Sequence, residues 1–149
     1  MLYSKPCEYG IRALVYLANS SGTAAVGARE ISKEENIPLP VLGKILQDLV
    51  RKGLLESRRG PGGGFFLARR SDAILLRDIV EAVDGLNHFK QCVLGLAQCT
   101  EEAPCPLHFS WKEVKTRITD DMDNTTLAQM AQAAEKKQEL NKKQGGSRK

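Results

Sequence analysis

The sequence predicts a mainly α-helical chain with a small β-hairpin wing: a winged helix-turn-helix followed by a long dimerisation helix. Three observations carry this reading. Apolar residues recur at helical spacing through the first 52 residues. A glycine-rich turn flanked by arginines separates two short strand patterns at 54–68. Leu107, Trp111, Val114, Ile118 and Met122 then follow one another at four-three-four-four spacing.

The first helix is expected at about residues 7–19, where Ile11, Leu14, Val15, Leu17 and Ala18 form the apolar face and Ser20-Ser21-Gly22 ends it. A short helix follows near 28–35, with Ala28, Ile31 and Ser32 on one side. Asn36-Ile37-Pro38-Leu39-Pro40 interrupts the pattern. Pro40 suits the first turn of a third helix, where its missing N–H has no partner to lose. That helix runs to about Lys52 on the stripe Val41, Leu42, Ile45, Leu46, Leu49 and Val50, and Gly53 stops it. Leu54–Ser57 and Phe65–Ala68 read as strands around the turn 58–64. Ser71 or Asp72 can cap a helix to Asp84, with Ile74, Leu75, Ile79, Val80 and Val83 as its apolar face. After the amphipathic helix of Leu107–Met122, Asn124-Thr125-Thr126 caps a last short helix with Leu127, Met130 and Ala131. The stretch from Glu135 to Lys149 turns polar and basic and is expected to be disordered.

This layout divides the chain into a DNA-binding unit at 1–70, a linker helix, cysteine loop and dimerisation helix at 71–131, and a basic tail at 132–149. With 149 residues, 42% hydrophobic and 27% charged, the composition is that of an ordinary globular protein. Aromatic residues make up only 5%, so aliphatic side chains must fill the core. No stretch approaches the roughly 18 apolar residues of a membrane span. The start carries no basic segment leading into an apolar run, so no signal peptide is expected and the cytoplasm is the expected compartment. The formal net charge of +4 is small; its placement matters more.

Two short helices joined by a brief break outline a helix-turn-helix, and a hairpin directly after them reads as its wing. Four arginines, Arg58, Arg59, Arg69 and Arg70, flank the wing. A backbone bare of side chains at Gly60, Gly62, Gly63 and Gly64 can approach a groove closely, and guanidinium groups can neutralise phosphates or enter a minor groove. A solvated surface hairpin is the plain alternative. The expected DNA contacts are Arg29, Pro40, Lys44, Arg58, Arg59, Gly60, Pro61, Gly62 and Gly63, on a roughly palindromic double-stranded site. A nucleotide-binding reading is poor: the glycine run lacks the following Lys-Ser/Thr and the dinucleotide spacing.

Cys92, Cys99 and Cys105 lie within 14 residues, and His108 follows two residues after Cys105. In a reducing compartment such a group points to metal or redox chemistry rather than to disulfides. Thiolates suit soft metals and iron–sulfur clusters, with imidazole as a common further ligand. Zinc is the sharper rival, although only Cys105 and His108 show the tight spacing of zinc sites. Three small packed cysteines are the plain alternative. Cys7 and His88 stand outside the loop and carry no such context. A thiol redox enzyme is the weaker alternative from another class, because no Cys-x-x-Cys pair and no acid–base constellation appear; an enzyme is not expected.

Together these residues resemble the IscR/NsrR/CymR-type, or Rrf-two, family of bacterial regulators over about residues 1–131. The resemblance rests on Tyr3-Ser4-Lys5 leading to Glu8-Tyr9-Gly10-Ile11-Arg12-Ala13-Leu14, on Gly53 through Phe65, on the cysteine loop, and on Thr125-Thr126-Leu127-Ala128. It implies a homodimeric winged-helix transcription factor, a repressor by first expectation, paired through the long helix after the cysteines; the stripe Leu107, Trp111, Val114, Ile118 and Met122 is the candidate seam, with packing onto its own domain as the plain alternative. It also implies an iron–sulfur cluster that sets DNA affinity, [2Fe–2S] favoured and [4Fe–4S] as the alternative. Cys92, Cys99, Cys105 and His108 would hold it, or Glu8 of the partner subunit in place of His108. Two departures stand out: six residues separate Cys92 from Cys99 where IscR-type members have five, and Pro40 and Gly43 occupy recognition-helix positions where those members use polar residues.

Overall fold

The first helix starts where its orphaned amides find acceptors. The Ser4 hydroxyl accepts from the Cys7 N–H at 3.1 Å, and Pro6 sits in the first turn. In the computed structural model, which describes residues 2–20 and 24–145, this helix is α1 (Lys5–Asn19). Its expected stop is described only at Ser20, whose N–H donates to the Tyr16 carbonyl at 2.9 Å; Ser21 and Gly22 lie outside the described residues. α2 (Ala28–Glu35) ends on Asn36, which adopts the left-handed conformation at φ 51°. That turn lets the Ile37 N–H reach the Ser32 carbonyl at 3.0 Å and aims the chain into α3 (Leu39–Arg51).

β1 (Leu55–Arg58) and β2 (Gly64–Leu67) pair antiparallel, with Leu55 opposite Leu67 and Arg58 opposite Gly64. Val26 adds a single rung to the hairpin. It exchanges both backbone hydrogen bonds with Phe65, at 2.9 and 2.8 Å. The wing is thereby tied to the segment before α2, so hairpin and helix pair form one unit.

The helix expected at 72–84 is shorter. Ser71–Ala73 form one 3-10 turn, and α4 spans Leu76–Val83. Ile74 and Leu75 are extended between them because another strand-like segment competes for their backbone. The Leu76 N–H donates to the Thr125 carbonyl and the Leu127 N–H to the Ile74 carbonyl, both at 2.8 Å. α5 (His108–Asn124) and α6 (Leu127–Gly145) follow. The capping expectation at 124–126 resolves to Thr126. Its hydroxyl accepts from the Gln129 N–H at 3.1 Å, while Gln129 Oε1 accepts from the Thr126 N–H at 2.8 Å.

The disordered tail expected from Glu135 is instead helix as far as Gly145. Ala, Glu, Lys and Gln dominate it, all good helix formers, although Ala131 is its last buried residue. Gly146 to Lys149 lie outside the described residues.

The main core draws on both ends of the chain. Leu14, Ile31, Leu42, Leu46, Leu49, Leu54 and Leu55 pack with Ile74, Ile79 and Leu127. A unit ending at residue 70 would leave this apolar cluster uncovered, since α4 and the start of α6 close it. A second, smaller cluster joins Cys7, Val80 and Met122, with Tyr3, Phe89 and Ile118 at its edge.

Candidate DNA interface and cysteine loop

α3 buries Leu42, Ile45, Leu46 and Leu49, and so its opposite face is left to solvent. That face presents Pro40, Val41, Lys44 and Gln47. Gln47 was not singled out from the sequence; its three-residue spacing from Lys44 was the available signal. Arg29 at the start of α2 and Arg58, Arg59, Gly60, Pro61 and Gly62 of the wing are exposed as well, and Gly63 is half-buried. Among the described residues none of Arg29, Lys44, Arg58 or Arg59 is in a salt bridge, whereas Arg51 pairs with Asp48 and Arg70 with Asp72. The four unpaired cations are available to phosphates. Arg58 stacks its guanidinium 5.3 Å from the Phe66 ring centre, which holds it at the base of the wing.

The wing turn needs its glycines for two different reasons. Gly60 and Gly62 adopt φ of 86° and 73°, a conformation that side chains disfavour. Gly63 has no positive φ; the turn folds back on it instead. A Cβ there would lie 2.3 Å from the Arg58 carbonyl oxygen and 2.7 Å from that of Gly60.

The cysteine loop begins after a 3-10 turn at Asn87–Lys90. Gly95, at φ 72°, reverses the chain and donates its N–H to the Cys92 carbonyl at 2.9 Å. The loop returns to α5 through a turn in which the His108 N–H donates to the Cys105 carbonyl at 3.0 Å. Trp111 reaches back with its indole N–H, 3.4 Å from the Gln91 carbonyl.

The three loop cysteines are free of disulfides, and with His108 they meet in two pairs. Cys92 Sγ and Cys105 Sγ are 4.0 Å apart, and Cys99 Sγ is 3.1 Å from His108 Nδ1. Among the described residues no third Cys, His, Asp or Glu joins either pair as a metal-holding group. Backbone hydrogen bonding, from Leu94 first and also from Leu96 and Gly95, holds the Cys92 thiol below its ordinary pKa and favours the thiolate. His108 is only 4% exposed, and its Nε2 is enclosed without a hydrogen-bond partner. The ring atom offered to the loop is Nδ1, which faces the Cys99 sulfur. Three thiols and an imidazole are also the donor chemistry of an iron–sulfur centre, and the residues fit one.

The other candidates differ. Glu8 is held by Lys5 at 2.9 Å on its own helix. Cys7 is fully buried, and burial first, with the Asp84 carboxylate adding to it, pushes its thiol up to about 12. His88 packs tilted against Phe89 with ring centres 4.0 Å apart and has an enclosed, unpartnered Nε2.

The expected seam of the long helix needs one correction. Met122 is 1% exposed within its own protomer, packed against Cys7 and Val80 where α5 crosses α4, and cannot face a partner. Arg77 fixes that crossing, donating from Nη1 to both Asp123 carboxylate oxygens at 2.9 and 3.0 Å. Ile118 is half-buried at the edge of the same cluster. Leu107 and Val114 are exposed, and with them Val93, Leu94, Leu96 and Phe109, four apolar residues the sequence reading passed over because they lie outside the helical period. Among the described residues, six of the nine exposed large hydrophobic residues thus fall on the loop and the first turns of α5, the largest such grouping on the protomer.

Among the described residues no helix is long and apolar enough to cross a membrane. A family model, Rrf2, described as "Iron-dependent Transcriptional regulator", matches residues 3–133. An HTH-type transcriptional regulator of Aquifex aeolicus is 36% identical over 138 residues, which cover 91% of this chain and 95% of that one. The HTH-type transcriptional regulator IscR of Erwinia tasmaniensis is 32% identical over 123 residues, 83% of this chain and 74% of its own. Among solved structures, CymR, the global cysteine regulator of B. subtilis, superposes with a TM-score of 0.75 at 26% identity, covering 89% of this chain and 98% of its own. IscR of T. potens gives 0.74 at 28% identity, covering 93% and 91%. These relatives are regulators, not enzymes, and they share the helices and hairpin described above. With its family match running from the first helix to the start of the last, this chain belongs to the Rrf2 family of transcriptional regulators.

Proposed function

We propose that this regulator is a homodimeric repressor whose affinity for DNA is set by an iron–sulfur cluster on Cys92, Cys99, Cys105 and His108. The observation that carries the reading is the meeting of four metal-binding side chains in two close pairs, one of them containing a buried imidazole. The similarity to IscR supports it. A single zinc ion is the poorer fit, since it takes four donors around one point. His108 is a better fourth ligand than Glu8, because its ring already lies against Cys99 while Glu8 is engaged by Lys5.

When bound, the cluster supplies a redox-active and chemically labile centre. The remaining work belongs to the chain's own residues. The loop joins α4 to α5, and α4 packs on α1 and α3. Ordering the loop sets the start of α5 and its exposed apolar end, and through the dimer it sets the separation of two recognition helices. Each helix offers Lys44 and Gln47 to base edges, while Arg58 and Arg59 of each wing engage the backbone or the adjacent groove. Two-fold symmetry calls for a roughly palindromic site with half-sites about one helical turn apart.

The test is colour and binding together. Anaerobically reconstituted protein should absorb in the visible. Cys92→Ala, Cys99→Ala and Cys105→Ala should each lose most of that absorbance, and Cys7→Ala should keep it. Operator affinity should differ between loaded and cluster-free protein. Equal affinity in both states, or bleaching by Cys7→Ala alone, overturns the reading.

A further inference from the structure

Sequence spacing makes Cys105 and His108 the natural chelating pair, three residues apart. The fold pairs the donors otherwise. Cys105 lies with Cys92, thirteen residues earlier, and His108 with Cys99, nine residues earlier. The turn that begins α5 explains the separation. It joins Cys105 and His108 through the backbone, His108 N–H to Cys105 carbonyl, and their side chains meet different partners.

Two donors on one tetrahedral ion, with metal–sulfur bonds of about 2.3 Å and metal–nitrogen bonds of about 2.0 Å, lie roughly 3.8 Å apart for two sulfurs and roughly 3.5 Å for sulfur and nitrogen. The sulfur pair, at 4.0 Å, is slightly wider than its span, and the sulfur–nitrogen pair, at 3.1 Å, is somewhat tighter than its own, so small side-chain shifts bring each pair onto one ion. Resting on the cluster reading above, we propose that the centre is a [2Fe–2S] cluster with a fixed partition: Cys92 and Cys105 hold one iron, and Cys99 and His108 Nδ1 hold the other. A [4Fe–4S] cluster would take four single donors, one to each iron, and has no use for two pairs.

The partition makes the cluster electrically lopsided. Cys92 and Cys105 bring two negative thiolates to their iron, whereas Cys99 and a neutral imidazole bring one. The imidazole is also the buried member of its pair, since His108 is closed off while Cys99 is half-exposed. One-electron reduction by dithionite, from two ferric ions to one ferric and one ferrous, therefore places the electron on the iron of Cys99 and His108.

A histidine scan of the cysteines tests this in the full chain, reconstituted anaerobically with iron and sulfide. Two histidines on one iron give the Rieske type of cluster, with a raised potential and its own electron paramagnetic resonance signature. Cys99→His should produce that signature after dithionite reduction. Cys92→His and Cys105→His should not, because each leaves one imidazole on each iron. A Rieske-type signal from Cys105→His or Cys92→His, and not from Cys99→His, overturns the partition. A second measurement covers variants that load poorly. In Mössbauer spectra of ⁵⁷Fe-loaded oxidised protein, Cys99→Ser should shift the same iron doublet that His108→Cys shifts. If Cys105→Ser or Cys92→Ser shifts that doublet instead, the pairs are wrong. Wild-type protein that takes up no iron and sulfide overturns the cluster reading itself, an outcome distinct from a loaded cluster with other pairs.

Discussion

Gly10 of α1 lies so close to Val83 of α4 that a Cβ on it would stand 3.2 Å from Val83 Cγ2. The same Cβ would be 3.4 Å from Ile45 Cγ2 on α3, so this one glycine marks where the helix leading to the cysteine loop and the recognition helix meet through α1. Gly10→Ala relieves a helical glycine, worth about 0.5–1 kcal/mol, against a mild squeeze. It should be near neutral. Gly10→Val adds branched bulk to a contact with no slack and should destabilise by about 1–3 kcal/mol. Urea midpoints of the two variants check the contrast, and equal midpoints would mean that the three helices part easily.

Cys7 makes stability depend on alkaline pH. Its thiol is pushed from an ordinary value of 9.0 up to about 12 in the fold, by burial first and then by the Asp84 carboxylate. The native state therefore keeps a proton that the unfolded chain gives up, and stability falls as pH rises between these two values. Below the unfolded value the contribution is fully present. Urea midpoints taken at about pH 8 and about pH 11 should drop, and the drop should be smaller in Cys7→Ala. Alkylation of the folded, cluster-free protein near neutral pH should reach Cys99 and Cys105 well before Cys7.

The wing should separate into positioning and reading residues. Arg58, anchored over Phe66, is the residue expected to meet phosphate. Arg58→Ala should weaken specific and scrambled duplexes alike and lower the salt slope by about one unit. Arg59, exposed and unstacked, should cost about 1–3 kcal/mol at the specific site when replaced by Ala and should relax selectivity there. Gly63→Val should distort the turn outright, because its Cβ collides with the Arg58 and Gly60 carbonyls. Titrations at several salt concentrations decide this. If removal of both arginines leaves affinity unchanged, the hairpin is a solvated surface feature.

The apolar end of α5 supplies the test of assembly. Val114 is 44% exposed in the protomer, so Val114→Asp should leave the fold intact while placing a charge in the proposed dimer seam. Sedimentation should show a folded monomer with weak operator binding. Met122→Asp should do something else. It buries a charge against Cys7 and Val80 and should lower the thermal midpoint sharply or prevent folding. A dimeric Val114→Asp variant would move the seam away from the start of α5.

Much of this protein was legible from its residues alone. The helical period of α1 and α3, the proline at the start of α3, and the glycines and arginines of the wing announce a winged helix-turn-helix because each signal is local. Helix period, cap and turn are properties of a few neighbouring residues. The cysteines and His108 were likewise visible as a donor set, since chemistry travels with residue type. The rest depended on what each element meets. Periodicity put Met122 on the same face as Val114 but could not say that the crossing of α5 over α4 covers one and leaves the other open. Helix propensity at 72–76 lost to the backbone pairing of Ile74–Leu76 with 125–127, a partner about fifty residues away in the chain. The tail stayed helical past its last buried residue, where composition alone had suggested disorder. Most tellingly, Cys105-x-x-His108 is a pair in sequence and not in space. The path of the loop, reversed at Gly95 and closed by the first turn of α5, decides which sulfur faces which nitrogen.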